Sequence, residues 1–193
     1  MRAAAKSKGK LRAKSVAREI SYLALGVALM TVCAWITIPI AAIPVTLQTL
    51  AVALLGVLFG TVRGTAAVLV YLLMGIIGIP VFSNFNAGVV ALLGPTGGYL
   101  IGFLFDVAIV GIFARLPIKN QVVKTALVYL GMLLAIAVLY FFGTLWFVTV
   151  YSRRSAEGIG AALMLCVVPY ILPDAVKLAL AAILTVRLEK FVK

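Results

Sequence analysis

Long apolar runs alternate along this chain with short polar or helix-breaking interruptions. Residues 20–62, 64–105 and 125–152 contain no Asp, Glu, Lys or Arg. A helix needs about 20 apolar residues to cross a bilayer, so each of the first two runs can supply two helices. Prolines, glycines and short polar clusters mark the ends. The pattern predicts helices over about 15–38, from Pro44 to near Gly60, and over about 65–79, 95–115, 122–150 and 173–190. The third is short, and at about 1.5 Å per residue it spans only roughly 24 Å. It must be buried beside neighbours or continue irregularly into the loop 81–94. Irregular backbone at membrane depth is tolerated only where it is packed in protein or lines a cavity.

Composition turns these runs into a fold class. Hydrophobic residues make up 65% of the chain and charged residues 11%, with a mean hydropathy of +1.22. That is too little charge to cover the surface of a soluble domain. The expected fold is an all-α integral membrane protein, a bundle of six transmembrane helices. The net charge of +12 does not point to nucleic acid. Arg2, Lys6, Lys8, Lys10, Arg12, Lys14 and Arg18 crowd into the first 18 residues, without interleaved aromatics and directly before an apolar run. This reads as a basic cytoplasmic segment, 1–14, ahead of a membrane domain, 15–193. The run from Ile20 is too long for a signal peptide's apolar region, and no small-x-small cleavage site follows it.

Charge also decides the ambiguous stretch 155–172. Six crossings from a cytoplasmic N-terminus put Arg63, Arg115, Lys119, Lys124, Arg187, Lys190 and Lys193 inside with the basic head, leaving Arg153 and Arg154 outside. A seventh crossing would move the last three outside and break the positive-inside pattern. Residues 155–172 are therefore expected to form a short helix in the outer leaflet, with both termini cytoplasmic.

Much familiar chemistry is absent. "GPTGGY" (residues 94–99) has no lysine and is not a phosphate-binding P-loop, so the chain is not expected to hydrolyse ATP itself. There is no histidine, and no HExxH or GxSxG supports hydrolysis. Cys33 and Cys166 are isolated within apolar segments, so no metal site, catalytic residue or cofactor is expected.

What remains is a small set of polar residues in apolar surroundings. Asp174 and Lys177 stand three apart, which puts both on one helix face. Pro173 fits a first helical turn, and Asp174 there suits the positive end of the helix dipole. Intramembrane charge is costly and faces the bundle interior, so the pair either pins the last helix or supplies a donor and an acceptor to a ligand cavity. The cavity reading is preferred, because apolar residues would pack at lower cost. Asp106, midway along the fourth helix, admits two readings: a proton or cation relay, or a carboxylate hydrogen-bonded within the bundle. Thr46, Gln48 and Thr49, then Ser83, Asn84 and Asn86, then Thr96 and Tyr99 lie towards the same side of the membrane as the pair. Together they outline a small-molecule pocket. Gly97 and Gly98 let backbone or ligand approach closely. Ala24 and Ala28 form a small-xxx-small pair suited to close helix packing or to a docking partner.

The stretches "PVTLQTLAVALLGVLFGTVRGTAAVLVYLLMGIIGIPVF", "LLGPTGGYLIGFL" and "PYILPDAVKLALAA" resemble, in order, the BioY family of biotin-specific substrate-binding (S) components of energy-coupling factor (ECF) transporters. The resemblance runs from about 43 to 182. It implies a six-helix bundle in a bacterial-type cell membrane that captures biotin from outside. It also implies a separate energising module, a transmembrane coupling protein with two cytosolic ATPases. Asp174 and Lys177 match the family's acidic and basic pair at the bicyclic head of biotin. Asn84 or Asn86 matches an implicated loop asparagine, the register remaining open between them. Ala24 and Ala28 resemble the AxxxA element that meets the coupling protein. A ureido ring offers two N–H donors and one carbonyl acceptor, which a carboxylate and an ammonium satisfy. The two ends of biotin lie farther apart than one helical turn of about 5.4 Å. Lys177 is therefore expected at the ureido carbonyl, and the biotin carboxylate near the mouth. The competing class is a self-sufficient proton-coupled secondary transporter using Asp106 or Asp174; a membrane enzyme acting on lipid has only scattered polar residues behind it.

Overall fold

The structure, a computed structural model, describes residues 2–40, 43–151 and 159–192. Its elements are α1 (Arg2–Trp35), the two-residue strands β1 (Thr37–Ile38) and β2 (Val45–Thr46), α2 (Gln48–Ile76), α3 (Val89–Leu93), α4 (Gly97–Ala114), α5 (Gln121–Trp146), α6 (Ile159–Cys166) and α7 (Val168–Val192). The strands pair antiparallel, Thr37 with Thr46 and Ile38 with Val45. Five of these helices are long and apolar enough to cross a membrane.

One of the five is folded on itself. Gly60, at φ 76°, interrupts α2 in the left-handed region that favours glycine. In a straight helix Gln48 and Tyr71 would lie about 34 Å apart; instead the Gln48 amide donates to the Tyr71 hydroxyl at 2.8 Å. So α2 is a hairpin with arms 48–59 and 61–76, which makes six apolar helical arms among the described residues. The turn implied between a helix ending near Gly60 and one starting at about residue 65 is narrower than expected. Gly60 alone reverses the chain, and Thr61–Gly64 already belong to the second arm. The first arm is apolar all round and sits at the centre, with every residue from Ala51 to Val57 buried. It packs with its partner arm against α1, α4 and α7, while α4 also packs against α5. At Gly111 of α4 a Cβ would lie 2.4 Å from the Thr61 backbone nitrogen, so only glycine permits this crossing.

The last helix corrects a predicted boundary. It begins at Val168 rather than Pro173, which lies in its interior, and Asp174 is therefore not in the first turn. The favourable dipole position expected for Asp174 does not exist. The added turn is tied down from outside: the Tyr170 hydroxyl donates to the Ile43 carbonyl, and Tyr170 is buried. This contact fixes the first turn of a helix in which Pro173 removes one backbone bond. Ahead of it, α6 has eight residues, about 12 Å long and too short to cross. The beginning of the 155–172 stretch, with Arg153 and Arg154 before it, lies outside the described residues. The backbone of residues 2–14 runs into the first span as one helix.

Candidate functional site

A cavity of about 530 Å³, its open mouth included, lies between the N-terminal end of α2, the start of α4, α5 and α7, beside the β1–β2 connection. Apolar walls around a few convergent polar groups are the usual build of a small-molecule site. Leu100, Phe103 and Leu139 give it apolar walls, and Pro44 and Val45 close one side.

Asp174 and Lys177 lie in the wall of this cavity, both buried, with the Lys177 ammonium 2.7 Å from Asp174 Oδ1. Their three-residue spacing on α7 makes this contact local, so no tertiary packing is needed to bring them together. Tertiary structure supplies the rest. Thr49 from α2 donates to Asp174 Oδ1 at 3.0 Å, and Tyr140 from α5 donates to Oδ2 at 2.7 Å. A carboxylate has about four acceptor sites and an ammonium three donors. Among the described residues, three donors reach Asp174 and one Lys177 hydrogen is spent on it. An acceptor site on Oδ2 and two ammonium hydrogens are left beside the cavity. The arrangement is chemically matched to a neutral group that carries an N–H next to a carbonyl.

Gln48 also lines the cavity and is fixed on both sides. Its Oε1 accepts from Thr46 at 3.0 Å, its amide donates to Tyr71, and the Tyr71 hydroxyl donates to the Val81 carbonyl at 3.0 Å. Tyr99 forms part of the wall and donates to the Cys166 carbonyl, linking α4 to α6.

The other sequence-derived residues sit elsewhere. Gly97 and Gly98 do not line the cavity. A Cβ on Gly98 would lie 2.3 Å from the Trp146 Cβ, and one on Gly97 would lie 1.7 Å from the Leu92 carbonyl oxygen. Both glycines let neighbouring backbone approach. Asn84 and Asn86 are exposed in an adjoining depression that shares Pro44, Ser83 and Thr96 with the cavity. Ala24 and Ala28 are exposed on α1, in an apolar groove with Trp35, Met74 and Pro80. Asp106 is buried on α4, outside the cavity wall, and among the described residues no hydrogen bond reaches its carboxylate.

Sequence reasoning missed Tyr140, Tyr170 and Phe103. Tyr140 carried a usable signal, since a phenol amid the apolar residues of a spanning helix needs a hydrogen-bond partner. Phe103 carried none, because nothing in an apolar helix marks one phenylalanine as facing a cavity.

The family model described as "BioY family" matches residues 4–193. The chain is 38% identical over 173 residues to the probable biotin transporter BioY of Pyrococcus horikoshii, covering 90% of this chain and 97% of that protein. It is 35% identical over 179 residues to the biotin transporter BioY of Thermotoga maritima, covering 90% and 96%. The fold is similar to the crystal structure of the S-component for biotin from an ECF-type ABC transporter, with a TM-score of 0.77, 27% identity, and 92% and 93% of the two chains covered.

Proposed function

The chain belongs to the BioY family, and from this premise we propose that it is the substrate-binding subunit of an ECF-type transporter that captures biotin for ATP-driven uptake. The observation that carries the reading is the buried Asp174–Lys177 pair in the cavity wall. Asp174 Oδ2 accepts one ureido N–H of biotin, and Lys177 donates to the ureido carbonyl. Leu100, Phe103 and Leu139 cover the apolar faces of the bicyclic head. Thr49 and Tyr140 hold the carboxylate in place before the ligand arrives, which lowers the ordering cost of binding. Gln48 and Tyr99 complete the wall, and one of Asn84 and Asn86 meets the ligand at its outer end. No cofactor takes part.

The chain carries no nucleotide-binding motif, and the energy comes from a separate module of a transmembrane coupling protein and two cytosolic ATPases. Ala24 and Ala28, exposed in an apolar groove of α1, form the face that meets the coupling protein. Both termini are cytoplasmic, in keeping with the basic residues clustered at them.

Calorimetric titration of the purified chain with biotin tests capture, and absence of binding overturns the reading. Proteoliposomes test energy coupling: the chain alone is expected to give no uptake, and protonophore-sensitive uptake by it would instead establish a secondary transporter. With the full module present, Ala24→Phe or Ala28→Phe is expected to stop ATP-driven uptake while leaving biotin affinity within about twofold, a difference of about 0.4 kcal/mol.

A further inference from the structure

The cavity and the adjoining depression share Pro44, Ser83 and Thr96, yet they differ in chemistry. The cavity holds a buried carboxylate and a buried ammonium. The depression, about 730 Å³ with its open side, has no charged residue among the described residues that line it. Its polar groups are Ser83, Thr96 and the exposed side chains of Asn84 and Asn86. The chain passes through Asn84 and Phe85 at φ 56° and 58°, a left-handed bend uncommon for such residues that shapes this rim.

We propose that this depression is a second, tail-accepting chamber of the site, and that the protein binds biotin joined through its carboxyl group to a small amine as well as free biotin. The inference rests on the biotin reading above. The ureido head occupies the charged cavity, and the valerate chain crosses the three shared residues into the neutral chamber. A carboxylate there meets hydroxyls, amides and water, and no cation among the described residues that line the chamber. A secondary amide in the same place exchanges a charged acceptor for a carbonyl acceptor and one N–H donor. An asparagine side chain is both donor and acceptor and accommodates either form. Because no buried ammonium is left unpaired when the acid becomes an amide, the usual large penalty for removing one partner of a buried charged pair does not arise. Head recognition is strict, and tail recognition is permissive.

The test is calorimetric titration of the purified full chain with biotin and with biotinyl-lysine. Biotinyl-lysine is expected to bind within tenfold of biotin. If biotin binds and biotinyl-lysine is weaker by more than tenfold, the tail is enclosed or its charge is read, and the proposal is overturned. If biotin itself does not bind, the functional reading falls, an outcome distinct from the previous one. A second measurement uses Ala87→Trp, which fills the depression from its wall. It is expected to raise the ratio of the biotinyl-lysine Kd to the biotin Kd at least tenfold. An unchanged ratio would mean that the tail leaves by another route, and would overturn the assignment of this chamber.

Discussion

Two ion pairs stand at opposite ends of the α2 hairpin, and they differ in every respect that matters. At the Gly60 end, Arg63 grips Glu19 of α1 with two hydrogen bonds of 2.7 and 2.6 Å, across 44 residues of sequence. Its guanidinium also lies 5.0 Å from the Tyr22 ring, which meets Phe59 edge-on. Both partners are 39% exposed. At the Gln48 end, Asp174 and Lys177 belong to one helix, are 7% and 8% exposed, and join no two elements directly. The exposed pair connects distant parts of the chain at little desolvation cost. The buried pair bears the full cost of desolvation, and its ionic contact stays within one helix. Its links to α2 and α5 run through the neutral hydroxyls of Thr49 and Tyr140, which a neutral acceptor could also serve. A pair so placed is explained by what it offers the cavity.

The comparison can be broken most sharply by removing the buried pair one charge at a time and then whole. Lys177→Ala leaves a buried carboxylate without its cation and is expected to cost about 3–5 kcal/mol of stability, read by thermal unfolding in detergent, together with loss of biotin binding. Asp174→Leu combined with Lys177→Met removes both charges. It is expected to restore stability to the parent level or above while biotin binding stays absent. Low stability in the double variant would show that the pair holds the fold. Asp174→Asn keeps the shape but loses the anion, and biotin affinity should fall more than tenfold, at least about 1.4 kcal/mol. Unchanged affinity would make the pair structural. Tyr140→Phe removes one of the three donors on Asp174, and a several-fold loss of affinity is expected, about 1 kcal/mol. The smallest effect belongs to the exposed pair. Glu19→Gln should leave biotin affinity unchanged and lower the unfolding temperature slightly, by an amount that shrinks as salt is raised. A loss of biotin affinity there would mean that the two ends of the hairpin are coupled.

Charge patterning made much of this legible beforehand. An ionisable residue in a long apolar run is conspicuous because hydrocarbon penalises it, which is why Asp174 and Lys177 stood out. The same absence of charge outlined the spans. Their i, i+3 spacing placed both groups on one face without any knowledge of neighbours. Gly60 and the polar residues after Pro44 were likewise visible as interruptions. The start of α7 at Val168 is not legible, because Pro173 marks a helix start in the sequence and the contact that secures the earlier turn, from Tyr170 to the Ile43 carbonyl, comes from a distant loop.

The sequence by itself determined the apolar arms, the chemistry of the central pair and the family, since all three are written in local composition and order. Only the tertiary structure decided which neutral residues surround that pair. Tyr140 and Thr49 reach Asp174 from two other helices, and Gly97 and Gly98 turn towards α3 and α5 instead of the cavity. An apolar helix in an apolar solvent has no strong preferred face. Its rotation is set by close packing against its neighbours, and that rotation selects which tyrosine or threonine faces the cavity and which glycine faces another helix.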